Sequence, residues 1–124
     1  DDIMQQLLVK ADSLESTIDT LSGGNQQKVV IAKAIVSEPK ILIFDEPTQG
    51  IDVGAKSEIN ALVQRLREKG MSIILISSEI EEVQGMCNRA LIMRDGKIVG
   101  EVENNIDDSE HILNLMYRSE ENAE

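Results

Sequence analysis

The chain has 124 residues, of which 23 are Asp or Glu and 12 are Lys or Arg, giving a formal net charge of -11. This length suits about one domain, and a hydrophobic fraction of 41% is typical of a globular protein. The acidic balance argues against nucleic-acid binding, and the aromatic residues Phe44 and Tyr117 are too few to form stacking platforms for bases. No uninterrupted apolar run in the sequence approaches the ~20 residues that a bilayer-spanning helix needs.

The first predicted elements follow from apolar patterning. Residues 1–20 indicate a short helix and a loop, and the dense apolar set of residues 26–36 predicts a largely buried helix. Residues 41–44 form a short, fully apolar run flanked by prolines, which predicts a strand buried on both faces.

The next segments predict a βαβ unit. Apolar residues at helical spacing within 53–69 predict an amphipathic helix that ends before Gly70, and residues 72–76 predict a second buried strand. Two wholly apolar strands joined by a helix indicate a parallel sheet with a right-handed crossover. The apolar helix positions are Ile59, Leu62, Val63 and Leu66.

The C-terminal part predicts a hairpin between two short helices. Residues 79–86 and 111–117 have helical patterns, and strands over 90–93 and 97–102 flank Asp95-Gly96, a strong two-residue hairpin signal. The acidic segment 119–124 is expected to fray.

An acidic pair, Asp45 and Glu46, follows the first predicted strand. Ligands of open α/β sheets bind beyond the carboxyl ends of parallel strands, so this position favours a site. One carboxylate there can hold Mg²⁺, because hard cations take oxygen ligands, and the next can polarise a water that attacks a phosphoryl group. A solvated acidic turn is the alternative, and the pair alone does not decide between them.

A second segment with a chemical use is the glycine-rich stretch 21–27. Ser22 is a natural N-cap, and Gly23 and Gly24 allow the backbone to approach a ligand closely. The helix that follows presents unpaired N–H groups and the positive end of its dipole, which favour an anion. A turn that only begins a helix fits the local sequence equally well. The combination favours a site, because Asp45 follows Ser22 by 23 residues and a second apolar strand comes after it.

The order of these motifs resembles the C-terminal part of an ATP-binding cassette (ABC) ATPase. Residues 21–24 resemble the signature motif of that family, 41–46 its Walker B strand with the catalytic glutamate, and 50–52 its D-loop. The stretches 25–28, 50–56 and 77–79 are similar to the second cassette of fused ribose- and galactose-type sugar importers. The resemblance covers about residues 15–103, and several ordered motifs are more specific than any one of them.

The resemblance implies an α/β fold: a partial P-loop NTPase (ABC ATPase) fold with a mostly parallel sheet flanked by helices and a C-terminal β-hairpin. Residues 1–124 would then form the C-terminal part of one ABC ATPase domain. The end of a helical subdomain would occupy 1–21, the signature helix, Walker B and following strands 22–103, and a tail 104–124.

The resemblance also implies a role for each motif. Two cassettes of this family pack head to tail, so the signature residues would contact the γ-phosphate of ATP held by the partner cassette. Glu46 would be the catalytic residue and Asp45 would hold Mg²⁺ through water, both toward ATP held by the same cassette. Asp52 in the D-loop would run along the seam and couple the two sites. The implied nucleotide-binding signature residues are Ser22, Gly23, Gly24, Asn25 and Gln26.

Two features depart from the family pattern. Ser78 occupies the place of the switch histidine, which is typical of the sugar-importer second cassette and puts hydrolysis at this half's own site in doubt. No Gly-x-x-x-x-Gly-Lys-Ser/Thr phosphate loop occurs in the sequence, and the family's adenine-stacking aromatic and glutamine loop are missing as well. We therefore expect a fragment of a cassette, with negligible ATP turnover by itself.

The implied ligands of the complete protein are ATP and Mg²⁺, and its implied role is sugar import at the cytoplasmic face of the cell membrane. The implied partners are a second cassette, membrane-spanning permease subunits and, indirectly, a periplasmic sugar-binding protein, with no nucleic acid. Loss of neighbouring strands would leave apolar surface uncovered, so the fragment is also expected to be marginal as a monomer or to homodimerise.

Two other classes of protein remain open. Signature and Walker B motifs also occur in cassette ATPases of DNA repair and chromosome organisation, but the sequence has no sustained coiled-coil heptads and its charge of -11 disfavours DNA. A noncatalytic assembly or regulatory piece would use residues 22–27 as a docking turn. Nucleotide dependence of its association with a complete cassette distinguishes that piece from a transporter ATPase.

Overall fold

The computed structural model describes residues 17, 19, 21–103 and 108–117. These residues divide into two compact units, the first ending at Ile76 and the second beginning at Ser77. The predictions for 1–20, apart from positions 17 and 19, and for 119–124 lie outside the described residues. None of the helices in the described ranges has the length and hydrophobicity needed to cross a bilayer. The elements are α1 (Gly23–Ile35), β1 (Ile41–Asp45), α2 (Val53–Glu68), β2 (Ser72–Ile76), α3 (Ile80–Met86), β3 (Arg89–Arg94), β4 (Lys97–Glu103) and α4 (Ser109–Tyr117).

The first unit contains the predicted βαβ arrangement. Strands β1 and β2 pair in parallel, in a register that runs from Ile41↔Ser72 to Asp45↔Ile76, and α2 connects them. Helix α2 ends one residue before the predicted boundary, and the chain leaves it through Gly70 at a φ of 89°. Its predicted apolar stripe is buried and comprises Ile59, Leu62, Val63 and Leu66.

The prediction that both strands are buried on two faces is wrong. In β1, Leu42 and Phe44 are buried, whereas Ile41 and Ile43 are 58% and 63% exposed. Strand β2 alternates between exposed and half-buried residues, with Ile74 exposed. Successive side chains of a strand point to opposite sides of a sheet, and only one side of this pair is covered. A wholly apolar strand therefore has one packed face and one open apolar face here.

Helix α1 differs from its prediction in two respects. It begins at Gly23 and not at residue 26, because Ser22 adopts an extended conformation and caps it. The helix is also not largely buried, since Val30 and Ala34 are exposed. One stripe of the helix is buried, because α1 contacts α2 through a single side. The buried residues of that stripe are Gly24, Lys28, Ile31 and Ala32.

The second unit is the predicted hairpin with a helix packed on it. Strands β3 and β4 pair antiparallel, with Arg94 opposite Lys97. The connecting residues Asp95 and Gly96 both have positive φ, 50° and 74°, as the twist of a tight two-residue hairpin requires. Helix α4 contacts both strands and begins two residues before the predicted position. The buried cluster consists of Ala90, Ile92, Val102 and Ile112.

Candidate functional site

The start of α1 is an exposed, capped helix N-terminus. The Ser22 hydroxyl accepts a long hydrogen bond of 3.4 Å from the Asn25 N–H, and the Ser22 carbonyl accepts one of 2.8 Å from the Gln26 N–H. The Gln26 side-chain amide donates to the Leu21 carbonyl at 3.1 Å, which ties the helix to the residue before its cap. Ser22 and Gly23 are exposed, so the positive end of the α1 dipole is accessible to an anion from solvent.

The second glycine of this segment has a packing role. Gly24 is buried, and a Cβ built on it would lie only 2.6 Å from the Cβ of Ala55 in the first turn of α2. A Cβ on Gly23 would instead make an ordinary contact with Ile51, at 3.5 Å from its Cγ2. The sequence pattern predicts that both glycines let the backbone approach a ligand. At Gly24, the close contact between the two helices is by itself enough to explain why the residue has no side chain.

Asp52 caps α2 beside this contact. Its Oδ1 accepts a hydrogen bond of 2.9 Å from the Ala55 N–H, and its own backbone is extended. Ala55 therefore lies against Gly24 and also donates the capping hydrogen bond to Asp52. The structure thus brings the candidate signature residues and the candidate D-loop aspartate together at the starts of two adjoining helices.

The acidic pair is held by the sheet. Asp45 is the last residue of β1 and is exposed, and the N–H of Glu46 donates a hydrogen bond of 2.9 Å to the carbonyl of Ile76. Glu46 is half-buried and has a φ of 46°, a left-handed conformation that is uncommon for a residue with a side chain. The two residues that follow, Pro47 and Thr48, are fully buried and anchor the turn.

Sequence reasoning missed one charged residue near the α1 start. The Lys28 side chain is only 3% exposed and forms an ion pair with Glu58 of α2, whose side chain is 52% exposed. The signal was present in the helical spacing. Lys28 follows Gly24 by four residues and precedes Ile31 by three, so it belongs to the buried stripe although it is charged.

The residues present are compatible with a magnesium–nucleotide ligand. Among the described residues, no group of three or more His, Cys, Asp or Glu side chains is placed to hold a metal ion. Mg²⁺ bound with a nucleotide needs only one or two carboxylates, because phosphate oxygens and waters complete its shell. The exposed Asp45, with Glu46 beside it at the carboxyl end of β1, meets that requirement.

The candidate switch position lies in the second unit. Ser78 is exposed, and the neighbouring Ser77 hydroxyl accepts a hydrogen bond of 3.0 Å from the Glu79 N–H. A serine hydroxyl does not titrate near neutral pH as an imidazole does, so Ser78 cannot exchange a proton in the manner of a histidine.

Comparisons with known proteins agree with this arrangement. A family model described as ABC transporter matches residues 1–49. A ribose import ATP-binding protein of Rhizobium meliloti is 47% identical over 115 residues, which are 93% of this chain and 22% of that protein. A xylose import ATP-binding protein of Geobacillus kaustophilus is 49% identical over 113 residues, 91% of this chain and 22% of that protein.

A solved structure gives the same assignment of fold. An ATP-binding cassette in a dimeric post-hydrolysis state, bound to ADP and Pi, matches with a TM-score of 0.72 and 25% identity, over 82% of this chain and 44% of that one. The chain therefore belongs to the ABC transporter ATPase family, and its fold is part of the P-loop NTPase fold. It is homologous to sugar import ATP-binding proteins and spans about a fifth, 22%, of the length of the curated relatives it matches.

Proposed function

We propose that this chain is the C-terminal part of the second cassette in the ATP-binding subunit of a sugar importer of the ribose and galactose type. The observation that carries the proposal is the exposed, Ser22-capped start of α1, combined with the acidic pair Asp45 and Glu46 at the carboxyl end of β1. The relatives named as ribose and xylose import proteins support a sugar as the transported substrate.

The α1 start would serve ATP held by a partner cassette. A helix N-terminus stabilises an exposed anion by about 0.3–1 kcal/mol, so it completes a phosphate site and does not build one alone. The residues that would contact the triphosphate are Ser22, Gly23, Gly24, Asn25 and Gln26.

The acidic pair would serve ATP held by its own cassette. With Mg²⁺, bound ATP supplies the phosphoanhydride bond whose hydrolysis powers transport. Asp45 would accept hydrogen bonds from water in the shell of the cation, and Glu46 would orient and polarise the attacking water. Asp52 would couple the two sites along the seam, and Ser78 would leave the switch position without an ionisable group.

The proposal places the complete protein at the cytoplasmic face of the cell membrane. Its partners would be a second cassette, which completes both sites, and membrane-spanning permease subunits that nucleotide-driven closure opens and shuts. A periplasmic sugar-binding protein would act indirectly, through those subunits. Nucleic acid is not expected as a ligand, because the chain carries a net charge of -11.

Association with a complete sugar-importer cassette tests the proposal. The tagged chain is expected to retain the cassette in the presence of ATP and Mg²⁺ and to release it without nucleotide. Ser22→Arg should weaken this association by about tenfold or more, because a bulky side chain then occupies the helix start. Ser37→Arg, at an exposed position just past the far end of the same helix, is the matched control and should retain it. Association that is indifferent to ATP would favour the noncatalytic docking piece, and no association would overturn the proposal.

ATP turnover by the isolated chain is a second test. We expect negligible turnover, because the sequence has no phosphate loop to hold the nucleotide. Turnover that Glu46→Gln abolishes would contradict this expectation.

A further inference from the structure

Two of the contacts between α1 and α2 follow one another in the same order along both helices. Gly24 lies against Ala55, where an added Cβ would come within 2.6 Å of the Ala55 Cβ. Four residues further along α1, Lys28 pairs with Glu58, which is three residues further along α2. Because both steps run from the N-terminal toward the C-terminal end, the helices run in the same sense here and their starts lie side by side.

The Lys28 contact has a feature that simple packing does not require. Its side chain is 3% exposed, and removing an ammonium group from water is unfavourable unless a counter-charge compensates for it. An aliphatic residue would fill the same space without that penalty. The ion pair to Glu58 instead gives a directional contact, whereas the Gly24 contact sets only the distance between the helices. Together the two contacts fix both the separation of α1 from α2 and its rotation.

We propose that Lys28 is a positioning residue for the ATP site that the start of α1 serves. With Glu58 it holds the rotation of α1 against α2, so that Ser22 and Asp52, the caps of the two helices, move as one body. This inference rests on the proposed function. The direction of the first-turn N–H groups depends on that rotation, and small misplacements of groups that surround a reacting phosphate lower rates strongly.

The test uses the intact ATP-binding subunit that contains these residues. Lys28→Met keeps most of the side-chain volume and removes the charge, and Glu58→Gln removes the counter-charge. Each is expected to lower kcat for ATP hydrolysis about tenfold and to change KM for ATP by less than about twofold, since the partner cassette holds the nucleotide. The double variant should be no worse than either single variant, because the two residues act as a unit.

Stability and hydrogen exchange separate positioning from a merely structural role. Lys28→Met should leave Tm unchanged, because the uncharged side chain keeps the packing and the Glu58 carboxylate that loses its partner is 52% exposed and stays hydrated. Amide exchange should quicken at 23–28 and 52–58 and not elsewhere. Lys33→Met and Glu68→Gln, on exposed positions of the same two helices, should keep the kcat of the wild type.

The outcomes distinguish this inference from the proposed function. If the variants hydrolyse ATP as fast as an active wild-type subunit, the positioning role of Lys28 is wrong and the proposed function is unaffected. A fall in kcat that a loss of folded protein explains entirely would also overturn it, since Lys28 would then be structural. A wild-type subunit that neither binds a partner cassette with ATP nor hydrolyses ATP would overturn the proposed function and this inference with it.

Discussion

The backbone N–H of Glu46 donates a hydrogen bond of 2.9 Å to the carbonyl oxygen of Ile76, the last residue of β2. The bond extends the parallel ladder one step past Asp45, and the chain then turns through Glu46 at a φ of 46°. Left-handed backbone costs an L-residue with a side chain about 1–2 kcal/mol, so the sheet must hold this turn in place. The direction in which the acidic pair leaves β1 is therefore set by main-chain contacts.

Substitutions at Glu46 test that strain. Glu46→Gly is expected to be about 1 kcal/mol more stable than Glu46→Ala, because glycine adopts a positive φ without a Cβ penalty. Urea or thermal unfolding of the chain measures the difference. Ala61→Gly, on an exposed position of α2, is a control of opposite sign and should lose about 1 kcal/mol. Equal stability of the two variants at position 46 would contradict a strained turn.

The approach of α1 to α2 predicts the effect of filling position 24. Gly24→Ala places a Cβ within 2.6 Å of the Ala55 Cβ, so the helices must move apart, and we expect a loss of about 1–3 kcal/mol. Chemical denaturation detects the loss, and Ala55→Gly in the same chain should restore most of it.

Gly85 is the matched control for this substitution. It lies in α3, and a Cβ built on it meets nothing within 4 Å. Gly85→Ala should therefore be neutral or stabilising by up to about 1 kcal/mol, as in an unobstructed helix. A harmless Gly24→Ala would show that the glycine at position 24 is not needed for packing.

Local patterns in the sequence predict the elements well. Asp95-Gly96 specifies its hairpin because the twist of a two-residue turn needs two positive φ angles, which these residue types tolerate. Helix α2 is predicted to within one residue because its apolar stripe repeats with the helical period and Gly70 follows it. The order of motifs also identifies the family, since each motif depends on near neighbours in the chain.

Local sequence patterns could not predict how deeply the strands are buried or how separate segments pack against each other. The exposure of Ile43 depends on what covers the second face of the sheet, and an all-apolar strand sequence does not specify that. The contact of Gly24 with Ala55 joins residues that are far apart in sequence, so no local pattern reports it. The burial of Lys28 was missed for a different reason: its helical spacing places it on the buried stripe, but a lysine is ordinarily assigned to a solvated face.

The open face of the parallel sheet predicts self-association of the isolated chain. Ile43 pairs with Ile74 across the ladder, and the two are 63% and 51% exposed. Exposed apolar sheet surface of this kind favours association. Ile43→Lys should raise the dissociation constant of a dimer about tenfold or more, as measured by light scattering over a concentration series. Val36→Lys, at an exposed apolar position beyond this face, should have little effect. A wild-type chain that stays monomeric would contradict the expectation.

The two helix caps at the candidate site should differ in their contribution to stability. Asp52 accepts a hydrogen bond of 2.9 Å from the Ala55 N–H, whereas Ser22 accepts one of 3.4 Å from the Asn25 N–H. Asp52→Ala is therefore expected to cost about 1 kcal/mol and Ser22→Ala about 0.5 kcal/mol, measured by urea unfolding. Asp52→Asn keeps an acceptor oxygen at the cap and should stay near the wild type. In the association assay, Asp52→Asn therefore tests the charge of Asp52 separately from its capping hydrogen bond. If ATP-dependent binding is lost and stability is not, the charge of Asp52 couples the two sites. A larger stability loss for Ser22→Ala than for Asp52→Ala would contradict this ranking of the caps.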